Sequence, residues 1–363
     1  MQEGSYGNMI KNVVKSYSGY LQIHEKDYWA KKSIDNTFAF TDSLLTTINS
    51  IPEVKGYIPR LEGFALASAG KRTKGILIVG TNPAKEDEMT SISKKIIKGN
   101  YLTPNDSGVL LAEKLAKYLQ LDVGDTIVFL GQGYHGVGAA DQFRITGIVR
   151  LPSPKLNKSM VYMPLSLAQS FYSAEDQLTS CVIDVSKDNM PIVQQSIANK
   201  IKKYDLSVMN WREMQPELVQ QIESDRSGGI VMLAILYMII GFGILGTVIM
   251  MVAERLHELG ILIAIGMHKR KVITTLFYET FFLGLTGIIV GSIIASPVIW
   301  YMVTHPIRLT GTAAEAMVKF GIEPIMPSIL DWHIFVNQAI IIFSMSLLAF
   351  LYPIFVITKM KVI

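Results

Sequence analysis

Three long apolar runs near the C-terminus constrain this 363-residue chain more than any other feature. Residues 230–251, 272–294 and 334–356 each span about 22 positions, and a helix of that length rises far enough to cross roughly 30 Å of hydrocarbon. The first two are separated by Glu254-Arg255-Leu256-His257-Glu258-Leu259-Gly260-Ile261-Leu262-Ile263-Ala264-Ile265-Gly266-Met267-His268-Lys269-Arg270-Lys271. A short amphipathic segment between two spans has to turn at one membrane face. Arg255, Lys269, Arg270 and Lys271 lie within a few residues of both spans, so the positive-inside rule places this turn in the cytoplasm. The loop 301–333 carries only Arg308 and Lys319 as strong cations and belongs outside, whereas the third span ends in Lys359 and Lys361, again cytoplasmic.

Half of the residues are hydrophobic and 18% are charged, but the apolar residues concentrate after Gly228. Residues 1–227 read as a water-soluble domain, and three spans with a cytoplasmic C-terminus put that domain on the extracytoplasmic side. The net charge of +4 has no long basic run behind it, which removes nucleic acid from the expected partners. Cys181 is the single cysteine, so no intramolecular disulfide framework exists; it opens the apolar stretch Cys181-Val182-Ile183 and reads as a buried structural thiol.

Along the soluble part, Met9, Ile10, Val13, Val14 and Tyr17 repeat at helical spacing, and a strand follows over 19–24. Phe38, Phe40, Leu44, Leu45 and Ile48 mark a second amphipathic helix that Pro52 stops. Short glycine-bounded strands are expected over 56–60, 63–67 and 75–80, with 68–74 as a hairpin loop, then helices over 89–98 and 105–119. A strand over 124–130 leads into the glycine-rich loop 131–140 and a further strand over 143–149. Strand and helix then alternate over 160–163, 166–172, 180–185, 190–204 and 206–211. The expected fold class is therefore a mixed α/β (α+β) extracytoplasmic domain followed by an all-α transmembrane domain. From Leu218 a helix runs without a break into the first span, as a mechanical stalk would.

Three chemical signatures fail on inspection. Gly70-Lys71-Arg72-Thr73 is not a phosphate loop, because position 65 is Ala and no Ser or Thr follows the lysine directly. The loop 131–140 is followed by a strand rather than the helix start that a dinucleotide site requires, so it reads as a hairpin. His257-Glu258 lacks the second histidine of a zinc peptidase, since position 261 is Ile. In the second span Gly284, Gly287, Gly291 and Ala295 form a small-residue seam that lets another helix approach closely. Glu279 lies inside the apolar run and needs a cation, with Lys271, Lys269 and Arg255 within range.

A polar domain of more than 200 residues does not cross a membrane without a signal or a preceding span, and Met1 is followed by neither. The expectation is a spanning helix before Met1 in the natural protein, with the 9–17 helix as its outward continuation.

Glu254-Arg255-x-x-Glu258-Leu259-Gly260-Ile261-Leu262-x-Ala264-Ile265-Gly266, directly after a span, resembles the E-R-x-x-E-I-G-x-x-x-A-I-G signature of the MacB/FtsX-like permease superfamily of ABC transporters. The resemblance covers the whole chain apart from one expected first helix. Gly80-Thr81-Asn82-Pro83, the stretch 96–102, and 108–119 followed by Val123-Gly124-Asp125 look more like the lipoprotein-releasing LolC/LolE-like branch than the efflux branch.

The resemblance implies a permease subunit, not itself an enzyme, that pairs with a second permease subunit, alike or different. Its coupling helix (254–267) rests on a cytoplasmic ABC ATPase subunit. ATP would be bound by that partner, and no cofactor or metal by this chain. ATP-driven motion would reach the outer domain through the stalk and release a lipoprotein to a periplasmic carrier. Within the coupling helix the resemblance assigns Leu256, Leu259, Leu262, Ile263 and Ile265 to an ATPase groove and Glu254, Arg255 and Glu258 to orientation by charge. Gly260 and Gly266 would permit close approach and a turn, and Ala264 completes the signature. Tyr134, in the 131–140 hairpin, is a candidate cargo contact. MacB-like efflux or antimicrobial-peptide export, and FtsX-like control of a cell-wall hydrolase without transport, remain alternatives on the same signature.

Overall fold

The structure, a computed structural model, describes residues 2–319 and 325–360, so Lys361 lies outside them. They divide into two compact units, a head built chiefly from Tyr6–Val219 and a helical unit built chiefly from 220–307 and 326–360.

The chain opens on helix α1 (Gln2–Ile10), which continues as a π-helix over Lys11–Ser18 and ends at Gly19, φ 67°. A Cβ at Gly19 would stand 2.3 Å from Val182 Cγ1, so the position needs glycine for space as well as conformation. There follow β1 (Leu21–Glu25), α2 (Asp42–Asn49), β2 (Gly56–Ala69), β3 (Arg72–Thr81), α3 (Pro83–Thr90), β4 (Ile96–Gly99), β5 (Gly108–Ala112) and α4 (Glu113–Leu119). Next come β6 (Thr126–Gln132), β7 (Gly138–Val149), β8 (Met160–Pro164), α5 (Leu165–Tyr172), β9 (Ser180–Asp184), α6 (Met190–Ile201) and β10 (Leu206–Asn210).

These ten strands join one sheet in the order β10-β1-β9-β2-β3-β8-β5-β7-β4, and β6 bridges β2 to β7. Strands β2, β3, β8, β5, β7 and β6 therefore close into a ring, which leaves no open edge among them. Ile76, Ile78, Leu110, Phe129, Phe143 and Tyr162 form part of its buried core. The mixed α/β reading of the head holds.

Four local expectations do not. The separate strands 56–60 and 63–67 are one 14-residue strand, because Gly63 does not end it: a Cβ there would come within 2.5 Å of the Tyr172 ring. The loop 68–74 shrinks to Gly70-Lys71, since Ala69 already pairs with Arg72. The helix over 89–98 stops at Thr90, and Ile96–Gly99 pairs with β7. The helix over 105–119 begins only at Glu113; Val109, Leu110, Leu111 and Ala112 are completely buried as a strand between β7 and β8. A continuous apolar run satisfies helical spacing by accident and suits a strand covered on both faces.

Inside the head, Arg60 of β2 is fully buried. Its Nε and Nη2 donate to the Glu86 carboxylate of α3 at 2.9 and 2.7 Å, and its Nη1 donates to the Tyr17 carbonyl at 2.6 Å. One guanidinium thus ties the end of the N-terminal helix to the sheet and to α3. The Cys181 thiol is buried as expected, and burial pushes it up to about 12.

In the helical unit, α7 (Pro216–Ala264), α8 (Lys269–Thr304) and α9 (Trp332–Ala349) with α10 (Leu351–Lys359) supply three helices long and apolar enough to cross a membrane. Helix α7 has 49 residues and is about 74 Å long, more than twice a hydrocarbon core. The break at Phe350 follows from Pro353, which has no N–H to offer the Ala349 carbonyl.

His24 on β1 supplies a pH test of the head. It is fully buried beside the rings of Tyr28 and Trp29, and neither ring nitrogen has a partner among the described residues. Burial, aided by the Lys32 charge, pulls it from 6.5 down to about 4. A depressed histidine is bound by more protons when unfolded, so its contribution is full above pH 6.5 and is lost as pH falls toward 4. His24→Phe is expected to flatten chemical-denaturation stability across that window, where the native chain loses on the order of 2–3 kcal/mol.

Candidate functional site

The signature segment is the last quarter of an unbroken helix rather than a separate one. Helix α7 passes through Glu254 without a kink and ends in a complete Schellman turn. Met267 N–H donates to the Leu262 carbonyl at 3.0 Å, Gly266 N–H to the Ile263 carbonyl at 3.1 Å, and Gly266 has φ +105°. Gly266 therefore makes the turn that reverses the chain into α8. Gly260 lies inside the helix with open space around it and makes no turn.

The helix divides the signature residues between two faces. Leu259, 8% exposed, packs with Val272, Leu276, Phe350 and Ile357, and Ile263 packs against the same cluster. These two face the other helices of the unit, which corrects their assignment to an outside groove. Leu262 and Ile265 remain exposed, Ile265 at 80%, and the structure adds Ile261 to that face; Leu256 and Met267 are exposed too, but Leu256 lies half a helical turn away from Ile265. Glu254, Glu258 and Ala264 are also exposed.

Arg255 is committed elsewhere. Its Nη1 donates to both Glu279 oxygens at 2.8 and 2.9 Å, so among the three cations considered for Glu279 this is the partner. A carboxylate inside an apolar run is thereby neutralised, and Arg255 is engaged within the chain instead of presenting a free charge. Lys269 donates to the Thr358 and Met360 carbonyls at 3.0 and 2.6 Å, capping the last helix with a cation at its negative end.

The small-residue seam is used only in part within this chain. A Cβ at Gly284 would meet Ser346 of α9 at 3.4 Å, whereas Gly287 and Gly291 have nothing within 4 Å and Ala295 is half-buried. No group of His, Cys, Asp and Glu that could hold a metal occurs among the described residues. Tyr134 is half-buried against the head core, its ring 3.9 Å from that of His135.

The model of the MacB-like periplasmic core domain matches residues 3–200, more than half of the chain, and that of the FtsX-like permease C-terminal region matches 230–362. The chain belongs to the MacB/FtsX-like permease family. Among relatives of this permease, the lipoprotein-releasing system transmembrane protein LolE of Haemophilus influenzae is 22% identical over 344 residues, 91% of this chain and 81% of that protein. The LolC protein of Neisseria meningitidis is 19% identical over 266 residues, 71% of this chain and 64% of LolC. The crystal structure of the periplasmic region of MacB from Actinobacillus actinomycetemcomitans aligns with 59% of this permease and 95% of that region, at 16% identity and a TM-score of 0.41.

Three substitutions check the geometry. Gly266→Ala is expected to lower stability by about 1 kcal/mol, because a Cβ is strained at that φ. Arg255→Ala is expected to lose on the order of 1–3 kcal/mol in detergent by leaving Glu279 unpaired, and Glu279→Gln in the same chain to restore most of it; thermal unfolding reads both.

Proposed function

We propose that this permease is the membrane subunit of a lipoprotein-releasing machine. It lies multi-pass in the inner membrane with the head outside, works with a second permease subunit, and docks on a separate cytoplasmic ATPase that binds the ATP. The observation that carries this reading is the continuous helix α7, which starts in the head unit at Pro216 and at its other end presents Ile261, Leu262 and Ile265 beside Glu254 and Glu258. Apolar anchors ringed by carboxylates suit a partner groove with an apolar floor and a basic rim. A helix hydrogen-bonded along its whole length passes a push at that end to the other without a joint.

The cargo reading is supported by the names of the LolE and LolC relatives and by the branch-like segments at 80–83, 96–102 and 108–119. The first turn of α8 carries Lys269, Arg270 and Lys271 against its own dipole, an arrangement that costs helix stability and is explained by a cytoplasmic, anionic surface.

The test is reconstitution with an ABC ATPase of the lipoprotein-releasing type from the same organism in proteoliposomes that hold an acylated lipoprotein. Release to a soluble periplasmic carrier on ATP addition is expected. ATP hydrolysis without release would sink the cargo assignment, and activation of a cell-wall hydrolase or export of a macrolide would replace it. Ile261→Asp with Ile265→Asp is expected to abolish ATPase co-purification while leaving thermal stability unchanged. Leu259→Asp, by contrast, should unfold the helical unit, because that side chain lies in its core.

A further inference from the structure

Helices α7, α8 and α9 leave a cleft of about 260 Å³ between them. Ile244 and Val248 of α7, Leu283 and Gly287 of α8 and Ile342 of α9 line it. Thr247 and Ser346 line it too, but their hydroxyls donate to their own helix, to the Gly243 carbonyl at 3.0 Å and the Ile342 carbonyl at 3.1 Å. The wall therefore presents neither a charge nor a free donor, with one exception. Thr280, 5% exposed, has a hydroxyl without a hydrogen-bond partner among the described residues. It lies next to Glu279, at the end of the cleft marked by the Arg255 ion pair. A buried donor left unmade costs free energy, so this one is poised for an acceptor.

All of the lining residues fall within the apolar runs, which places the cleft at the depth of the hydrocarbon core. From Thr280 to Ile288 helix α8 rises about 12 Å, the direction in which a tail entering at the ion-pair end would run. The volume falls below the roughly 300–1,000 Å³ of pockets that enclose a whole small molecule. We propose that this cleft binds one acyl chain of a bilayer glycerophospholipid. The tail lies along Gly284 and Gly287, and its ester carbonyl accepts from the Thr280 hydroxyl. The neutralised Glu279 does not repel the phosphate, which stays outside the cleft. This site is independent of the cargo and of the ATPase.

The test uses the full chain in nanodiscs of phosphatidylglycerol and phosphatidylcholine doped with a phospholipid that carries a diazirine in mid-chain. After photolysis, peptide mapping is expected to find adducts concentrated on the cleft segments 244–251 and 280–288. Gly287→Leu places a side chain in open space and fills the cleft, so it should cut that labelling roughly tenfold. Gly291→Leu, one turn further and outside the cleft, should leave it unchanged. An ether-linked probe of equal chain length, lacking the carbonyl, should label wild type about three- to tenfold less than the ester, and Thr280→Val should erase that difference. Labelling that ignores Gly287→Leu, or that spreads evenly onto Ile239 and Val290, would mean annular lipid only and would overturn the site. Cross-links to a second protein chain in place of lipid adducts would overturn it as well, because a helix would then fill the cleft.

Discussion

Hydrocarbon supplies no water to satisfy a peptide group, so every backbone bond of a spanning segment has to be closed within the helix. In α7 the helix extends well beyond the apolar run. It begins at Pro216, continues through that run and stops only at Ala264, followed by Gly266 in left-handed conformation. An interruption within the apolar run would leave unpaired N–H and C=O groups in lipid. That rule accounts for the span alone; the helix on either side of it, where water could take up freed groups, supplies the continuity that the proposed coupling between ATPase and head requires.

Around the turn, charge is arranged by two different rules. Glu279 is in a place where an unpaired carboxylate is expensive, and Arg255 cancels it. Lys269, Arg270 and Lys271 stand at the positive end of α8, where helix electrostatics disfavour them, and Lys269 recovers contacts on the carbonyls that close α10. What is left exposed at the end of α7 is chiefly apolar and acidic, with Arg270 and Lys271 exposed beyond the turn. The outward chemistry of the segment is thus a remainder, set by which side chains the other helices have already taken.

The head solves a separate problem. A closed ring of six strands leaves a protein with no sheet edge there to pair with a neighbour, and Arg60 buried between Glu86 and the Tyr17 carbonyl holds the N-terminal helix to it. Burying that ion costs desolvation that only its full set of partners offsets, so the network specifies one arrangement of three elements. His24 works in the opposite sense, as a titratable ring kept neutral by its burial, with no hydrogen-bond partner among the described residues.

The three spans, the soluble head and the turn were legible in the sequence because each depends on local quantities: run length, charge density and the presence of Gly266. The partner of Glu279 could be narrowed to three cations, but only packing chose Arg255. Strand β5 was misread as helix because Val109 to Ala112 carry no period at all, and a run buried on both faces shows its identity only when its neighbours are known. The signature at 254–266 marked a segment yet could not divide it between faces, since Leu259 and Leu262 are chemically equivalent. One points to Val272 and Phe350 and the other to solvent, a difference that arises from the angle at which α8 and α10 meet α7, and no stretch of sequence encodes that angle by itself.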